Sequence, residues 1–133
     1  MATELPHASA RRATPRPAPH PGHTLARLAR QIELAVASVE LTLPQYRVLA
    51  ILGDGCAAAS ALAEKLAVSR PSVTGVVDGL VARGLVRRAP IAGDRRRIDI
   101  GLTDAGALVL AAADAAVEQR GERIGQLLAE LRR

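Results

Sequence analysis

The side chains best equipped for chemistry in this chain are arginines. Seven of them, Arg70, Arg83, Arg87, Arg88, Arg95, Arg96 and Arg97, fall between positions 70 and 97, opposed only by Asp78 and Asp94. A guanidinium is a permanent cation whose planar fork of donors fits a phosphate or the edge of guanine. Ser69, Ser72 and Thr74 in the same stretch offer hydroxyls that reach phosphate oxygens or bases. Such a concentration of positive charge suits contact with a nucleic acid, although taken alone it equally describes a solvated basic face. Other chemistry is thinly supplied. All three histidines, His7, His20 and His23, lie within the first 23 residues. His20 and His23 offer a metal ion at best a weak pair, without supporting ligands. No nucleophile–base pair and no metal-ligand spacing occurs in the remainder, so neither an enzyme nor a cofactor is expected. Cys56 has no adjacent cation to lower its pKa, which favours a small buried packing role over redox sensing. Tyr46, the only aromatic residue, is expected to pack half-buried rather than to line a ligand pocket.

The elements that must position the arginines can be read from periodicity. Ser60 to Leu66 predicts a short helix with Leu62, Ala63 and Leu66 inward. Ala67 and Val68 make a turn, with Val68 expected in the angle between helices. Ser69 then caps a second helix whose first turn tolerates Pro71 and whose buried face is Val73, Val76, Val77 and Leu80. Its exposed first turns present Arg70, Ser72, Thr74, Gly75 and Asp78. Gly75 and Gly79 each cost a helix about 1 kcal/mol relative to Ala. Close approach of the backbone to DNA would explain them, as would surface drift. Arg83-Gly84 ends the helix through a left-handed cap. Leu85 to Ala89 reads as a strand carrying Arg87 and Arg88, Pro90 to Asp94 as a turn, and Arg97 to Leu102 as the return strand with Ile98, Ile100 and Leu102 inward. This is a helix-turn-helix followed by a basic two-stranded wing, spanning residues 60–103. Asp94 at the wing tip is expected to orient one of the adjacent arginines through a salt bridge. A tip holding Arg95 and Arg96 suits a narrow minor groove.

The remaining chain supplies scaffold. With 133 residues there is room for one domain and a tail. Apolar residues make up 49%, with one Tyr and no Phe or Trp, so the core must be aliphatic. Residues 1–23 hold five of the eight prolines and are expected to be disordered, with Arg11, Arg12 and Arg16 as weak phosphate contacts. Residues 24–133 form the predicted domain. Leu25, Leu28, Ile32, Val36 and Val39 make an apolar helical stripe that Thr24 would cap. Thr42, Pro44 and Gln45 have the spacing of a capping box opening another helix, which Gly53-Asp54-Gly55 stops. After Gly106 the sequence reads as one long helix with Leu108, Ala112, Ala115, Ile124, Leu127, Leu128 and Leu131 apolar, interrupted near Gly121. A lone Cys, no apolar run of membrane-spanning length and no signal-peptide core lead to the expectation of a cytoplasmic protein without a membrane partner.

Three segments in succession, LTLPQYRVL, LAEKLAVSRPSVTGVVDGLVARGLVRR and DRRRIDIGLTDAG, resemble the MarR family of bacterial winged-helix regulators. The resemblance covers roughly Leu25 to Leu131. The DRR wing tip followed by an alternating strand and LT-x-x-G is its most specific part. It implies a mainly α fold with a small β-wing, flanked by dimerisation helices at residues 24–41 and 104–133. It further implies a homodimer on a pseudo-palindromic operator, with the helix from Ser69 to Arg83 in the major groove and Arg95 or Arg96 in the flanking minor groove. Ser69, Arg70, Ser72, Thr74, Gly75, Arg87, Arg95, Arg96 and Arg97 are thus the candidate DNA contacts. The resemblance also implies repression relieved by a small, often phenolic, effector. The family's final helix is expected to be missing from this sequence. Two function classes remain open: a sequence-specific regulator of transcription, or a winged-helix protein-interaction module or truncated regulator with weak DNA binding.

Overall fold

The computed structural model describes residues 20–133 apart from Ala92, and the Arg95 side chain. The expected disorder before His20 and the roles considered for His7, Arg11, Arg12 and Arg16 lie outside the described residues. Six helices and a three-stranded antiparallel sheet are described: α1 Pro21–Ala37, α2 Leu43–Leu52, β1 Ala57–Ala58, α3 Ala59–Leu66, α4 Arg70–Ala82, β2 Val86–Ile91, β3 Asp94–Leu102, α5 Asp104–Glu118 and α6 Gly121–Leu131.

Helix α1 starts three residues before the predicted cap. His20 is the N-cap, and its Nδ1 accepts from the Gly22 N–H at 3.0 Å. An imidazole nitrogen serves here as a hydroxyl would, and Pro21 presets the first helical φ. Thr24 is buried instead, and its Oγ1 donates to Glu130 at 3.3 Å. The capping box at Thr42 is present in full: Gln45 N–H donates to Thr42 Oγ1, and Thr42 N–H donates to Gln45 Oε1.

The core gathers Val36, Val48, Leu49, Leu62, Val73, Val77 and Leu80, each at most 1% exposed. The helix-turn-helix forms where its spacing predicts, with Ala67 in the left-handed region at φ 55° and Val68 N–H closing the turn on Ala63 O. Val68 itself is 40% exposed rather than packed in the angle, because the left-handed residue before it swings it outward.

The hairpin pairs Val86 with Leu102 through Ala89 with Asp99, and a bulge falls between Pro90 and Ile91. Pro90 and Ile91 belong to β2 and Asp94 to β3, so the strands run further and the turn is shorter than predicted. Proline is acceptable there because β2 is an edge strand. Ile98 is 50% exposed, beyond the buried part of β3 at Ile100. The sequence pattern does not reveal β1, whose two residues join the far edge of β3.

Past the wing the chain forms two helices, the break at Gln119 and Arg120 falling beside the interruption expected near Gly121. Thr103 caps α5: its Oγ1 accepts from Gly106 N–H at 3.0 Å and donates to Gly84 O at 2.6 Å. A Cβ on Gly106 would penetrate the Leu85 carbonyl, so the helix rests on bare backbone at that point. This contact fixes its rotation. Residues at helical spacing from Gly106, namely Val109, Leu110, Ala113 and Val117, turn toward the core. The apolar Leu108, Ala112 and Ala115 are left exposed, Leu108 by 73%. The interruption at Gln119 and Arg120 then lets α6 fold back along α1. Leu127 is buried, Arg27 pairs with Glu130 at 2.9 Å, and Arg120 donates to Gln31 at 2.9 Å. No described helix is long and apolar enough to cross a membrane.

Candidate nucleic-acid interface

Helix α4 places its polar residues on one open surface. Ser69 caps it, its Oγ accepting from Ser72 N–H at 3.3 Å and lying 2.9 Å from Ser72 Oγ. The two hydroxyls therefore partly satisfy each other. Thr74 Oγ1 donates to Arg70 O at 3.1 Å, a bond that secures the first turn. Arg70, Ser72, Thr74, Gly75 and Asp78 are all exposed. Nothing lies within 4 Å of where a Gly75 Cβ would stand, so that backbone is accessible from outside. Gly79 differs: a Cβ there would lie in ordinary contact, 3.7 Å from Gln45 Nε2, so this position faces α2 rather than an external partner.

The wing meets this surface. Arg70 of α4, Arg88 of β2, and Arg96 and Arg97 of β3 line one cleft of about 270 Å3. Ala58, Ala59 and Ser60, at the start of α3, close it. Ala58 supplies no side-chain cap to α3, so this end of the cleft also carries the positive pole of a helix. Four guanidiniums and a helix N-terminus converging on one opening make a strong anion-attracting surface.

Several candidate residues are placed differently by the structure. The candidate contacts include Arg87 and leave Arg88 aside. Successive strand residues face opposite ways, and the strand puts Arg88, not Arg87, at the cleft. Strand register is the signal that identifies it. Arg87 is exposed opposite Gly101. Arg88 is also bonded to Asp78 of α4, an ion pair linking wing and helix. Asp94 Oδ1 accepts from the Arg96 main-chain N–H at 2.9 Å, so the bond seen orients backbone rather than a guanidinium. The backbone of Arg95 lies in β3. Arg83 points away from the cleft, and its Nη1 donates to Glu40 O at 2.6 Å.

The two weaker candidates also find positions. Tyr46 is half-buried as expected, and its hydroxyl donates to Asp114 Oδ1 at 2.6 Å, joining α2 to α5. Burial, then the bond to Asp114, then the charges of Asp114 and Glu118 raise its pKa to about 12. It also borders an open depression with Ile32, Leu43, Ile51 and Lys65. Cys56 is exposed, not buried. It leans over β3, where a Cβ on Gly101 would fall 2.7 Å from its Sγ. The turn that ends α2 leaves it outside the core. Among the described residues, no three His, Cys, Asp or Glu side chains gather as metal ligands.

A helix-turn-helix joined to a β-wing and braced by helices before and after it defines a winged-helix protein. The MarR family sequence model matches residues 40–97. The HTH-type transcriptional regulator Mb0904 of Mycobacterium bovis is 36% identical over 103 residues, covering 76% of this chain and 72% of that protein. The HTH-type transcriptional repressor NicR of Pseudomonas putida is 38% identical over 72 residues, and the match spans 53% of this chain but only 46% of NicR. The solved structure of the transcriptional repressor CouR bound to a 23-mer DNA duplex superposes with a TM-score of 0.73 at 32% identity, covering 80% of this chain and 77% of that one. The chain belongs to the MarR family, whose members are transcriptional regulators and not enzymes.

Proposed function

We propose that this protein is a sequence-specific DNA-binding repressor that acts as a homodimer on an inverted repeat. The observation that carries this is the cleft where Arg70 of the second helix meets Arg88, Arg96 and Arg97 of the wing. Helix α4 enters the major groove through its first turns, and Arg70 donates to a guanine edge. Ser69, Ser72 and Thr74 contact phosphates or bases, and Gly75 lets the backbone approach. Arg95, Arg96 and Arg97 carry the wing to the flanking minor groove, with Asp94 shaping the tip. NicR and CouR, both named as repressors, support the direction of regulation. Leu25 on α1 and Leu128 on α6, 51% and 42% exposed, supply apolar surface for a second copy. A small apolar effector in the depression beside Tyr46 would touch α1, α2 and α3, and so both a dimer helix and the reading head.

Selection of bound duplexes from a random pool at physiological salt tests the proposal. A spaced inverted repeat is expected, its spacing giving the separation of the two heads. Enrichment of a single half-site would remove the dimer. Enrichment of nothing above non-specific binding would leave the fold serving as a protein-interaction module.

A further inference from the structure

Arg83 belongs to the basic run yet faces away from the cleft. It is the C-cap of α4, followed by Gly84 at φ 72°, with Leu85 N–H returning to Leu80 O at 3.0 Å. Helix α1 ends in the same kind of turn: Glu40 sits at φ 60°, and Leu41 N–H returns to Val36 O at 3.1 Å. A left-handed backbone is unfavourable for glutamate, and in it the Glu40 carbonyl accepts from Arg83 Nη1 at 2.6 Å. Both turns are anchored, since Leu41 and Leu85 are each 4% exposed. Among the described residues, this is the one side-chain hydrogen bond joining α4 to the turn after α1.

We infer that Arg83 is a positioning residue that couples the recognition helix to the dimer helix, and so sets the operator spacing the protein accepts, without touching DNA. The inference rests on the proposed DNA-binding dimer. Helix α4 carries the base contacts and α1 carries dimer surface, so a tie between their ends fixes one relative to the other. One of the five N–H donors of the guanidinium is engaged with this main-chain carbonyl, on the side away from the cleft. The Glu40 side chain plays no part, because the acceptor is its carbonyl.

The test uses the duplex enriched by the wild-type chain, together with versions one base pair shorter and longer between half-sites. Affinities are measured across a salt series for wild type, Arg83→Ala and Arg83→Lys. In Arg83→Ala the affinity ratio between correct and altered spacing is expected to narrow by about fivefold, the lower end for coupling between sites. The salt slope is expected to stay at the wild-type value. Arg83→Lys, which keeps a donor able to reach the carbonyl, is expected to recover part of the ratio. In the free protein, amide exchange at Leu41 and Leu85 should quicken in Arg83→Ala while the wing amides do not change. A salt slope lowered by about 0.9 with spacing preference intact would make Arg83 a phosphate contact and overturn the inference. Unchanged spacing preference, or unchanged exchange at both turns, would overturn it too. If the wild-type chain enriches no duplex, the DNA-binding proposal itself fails and this inference falls with it.

Discussion

Gly106 and Tyr46 show how single atoms hold this molecule in shape. At Gly106 there is no room for one methyl group, because a Cβ would collide with the Leu85 carbonyl. The backbone atoms on both sides are held by the Thr103 cap and by the Thr103 N–H bond to Leu85 O at 3.1 Å. Gly106→Ala is therefore expected to cost about 3 kcal/mol, the upper part of the usual overpacking range. The check is urea unfolding, with a lower midpoint and an unchanged slope; an unaltered midpoint would refute the close approach. Tyr46 makes a pH prediction. Its folded pKa of about 12 exceeds the value of about 10 of an unfolded tyrosine. The unfolded chain thus loses this proton first. The stability contributed by the neutral, Asp114-bonded form is full below about pH 10 and is lost as pH rises through about 12. Because this is the only tyrosine, tyrosinate absorbance reports it alone. A folded-state midpoint back at the ordinary tyrosine value would contradict the Asp114 bond.

The wing and the recognition helix act together, and their predictions belong to that pair of elements. Arg96→Ala combined with Arg97→Ala is expected to weaken binding to all duplexes and to lower the salt slope by about 0.9 for each phosphate left without its arginine. Arg70→Ala is expected to cost about 1–3 kcal/mol at one base position in each half-site and to relax preference there. Anisotropy titrations across salt and across single-base variants separate the two effects. Equal weakening on all sequences in Arg70→Ala would move that residue from base to phosphate. The elements that were legible in the sequence are those with local causes. The caps at Thr42 and Ser69 need only neighbours three residues away, and the turn at Ala67 follows from the spacing of two helices. What the sequence concealed depends on distant partners. The rotation of α5, which exposes Leu108, follows from Gly106 meeting a carbonyl 21 residues earlier in the chain. The choice of Arg88 over Arg87 follows from strand register, and the course of Arg83 from a turn 43 residues away. Residue type announced the basic site, while its inner boundary came from packing.

On the scale of the whole molecule, α1 and α6 form a pair that is incompletely covered. Leu25 and Leu128 stay open to solvent on helices whose other faces are packed. Leu128→Glu is expected to convert the proposed dimer to a folded monomer, seen as a halved mass in sedimentation equilibrium with unchanged helical circular dichroism. A mass that stays dimeric would place the interface elsewhere. The same two helices run antiparallel, with the start of α1 bonded to the end of α6 through Thr24, Arg27 and Glu130. This has a mechanical consequence. Tension applied between the ends of the described chain peels that seam open from its edge, one helical turn after another, instead of shearing the whole seam at once. Under load, the molecule would open first at the seam joining its two ends, while the buried core around Leu49 and Leu80 still held.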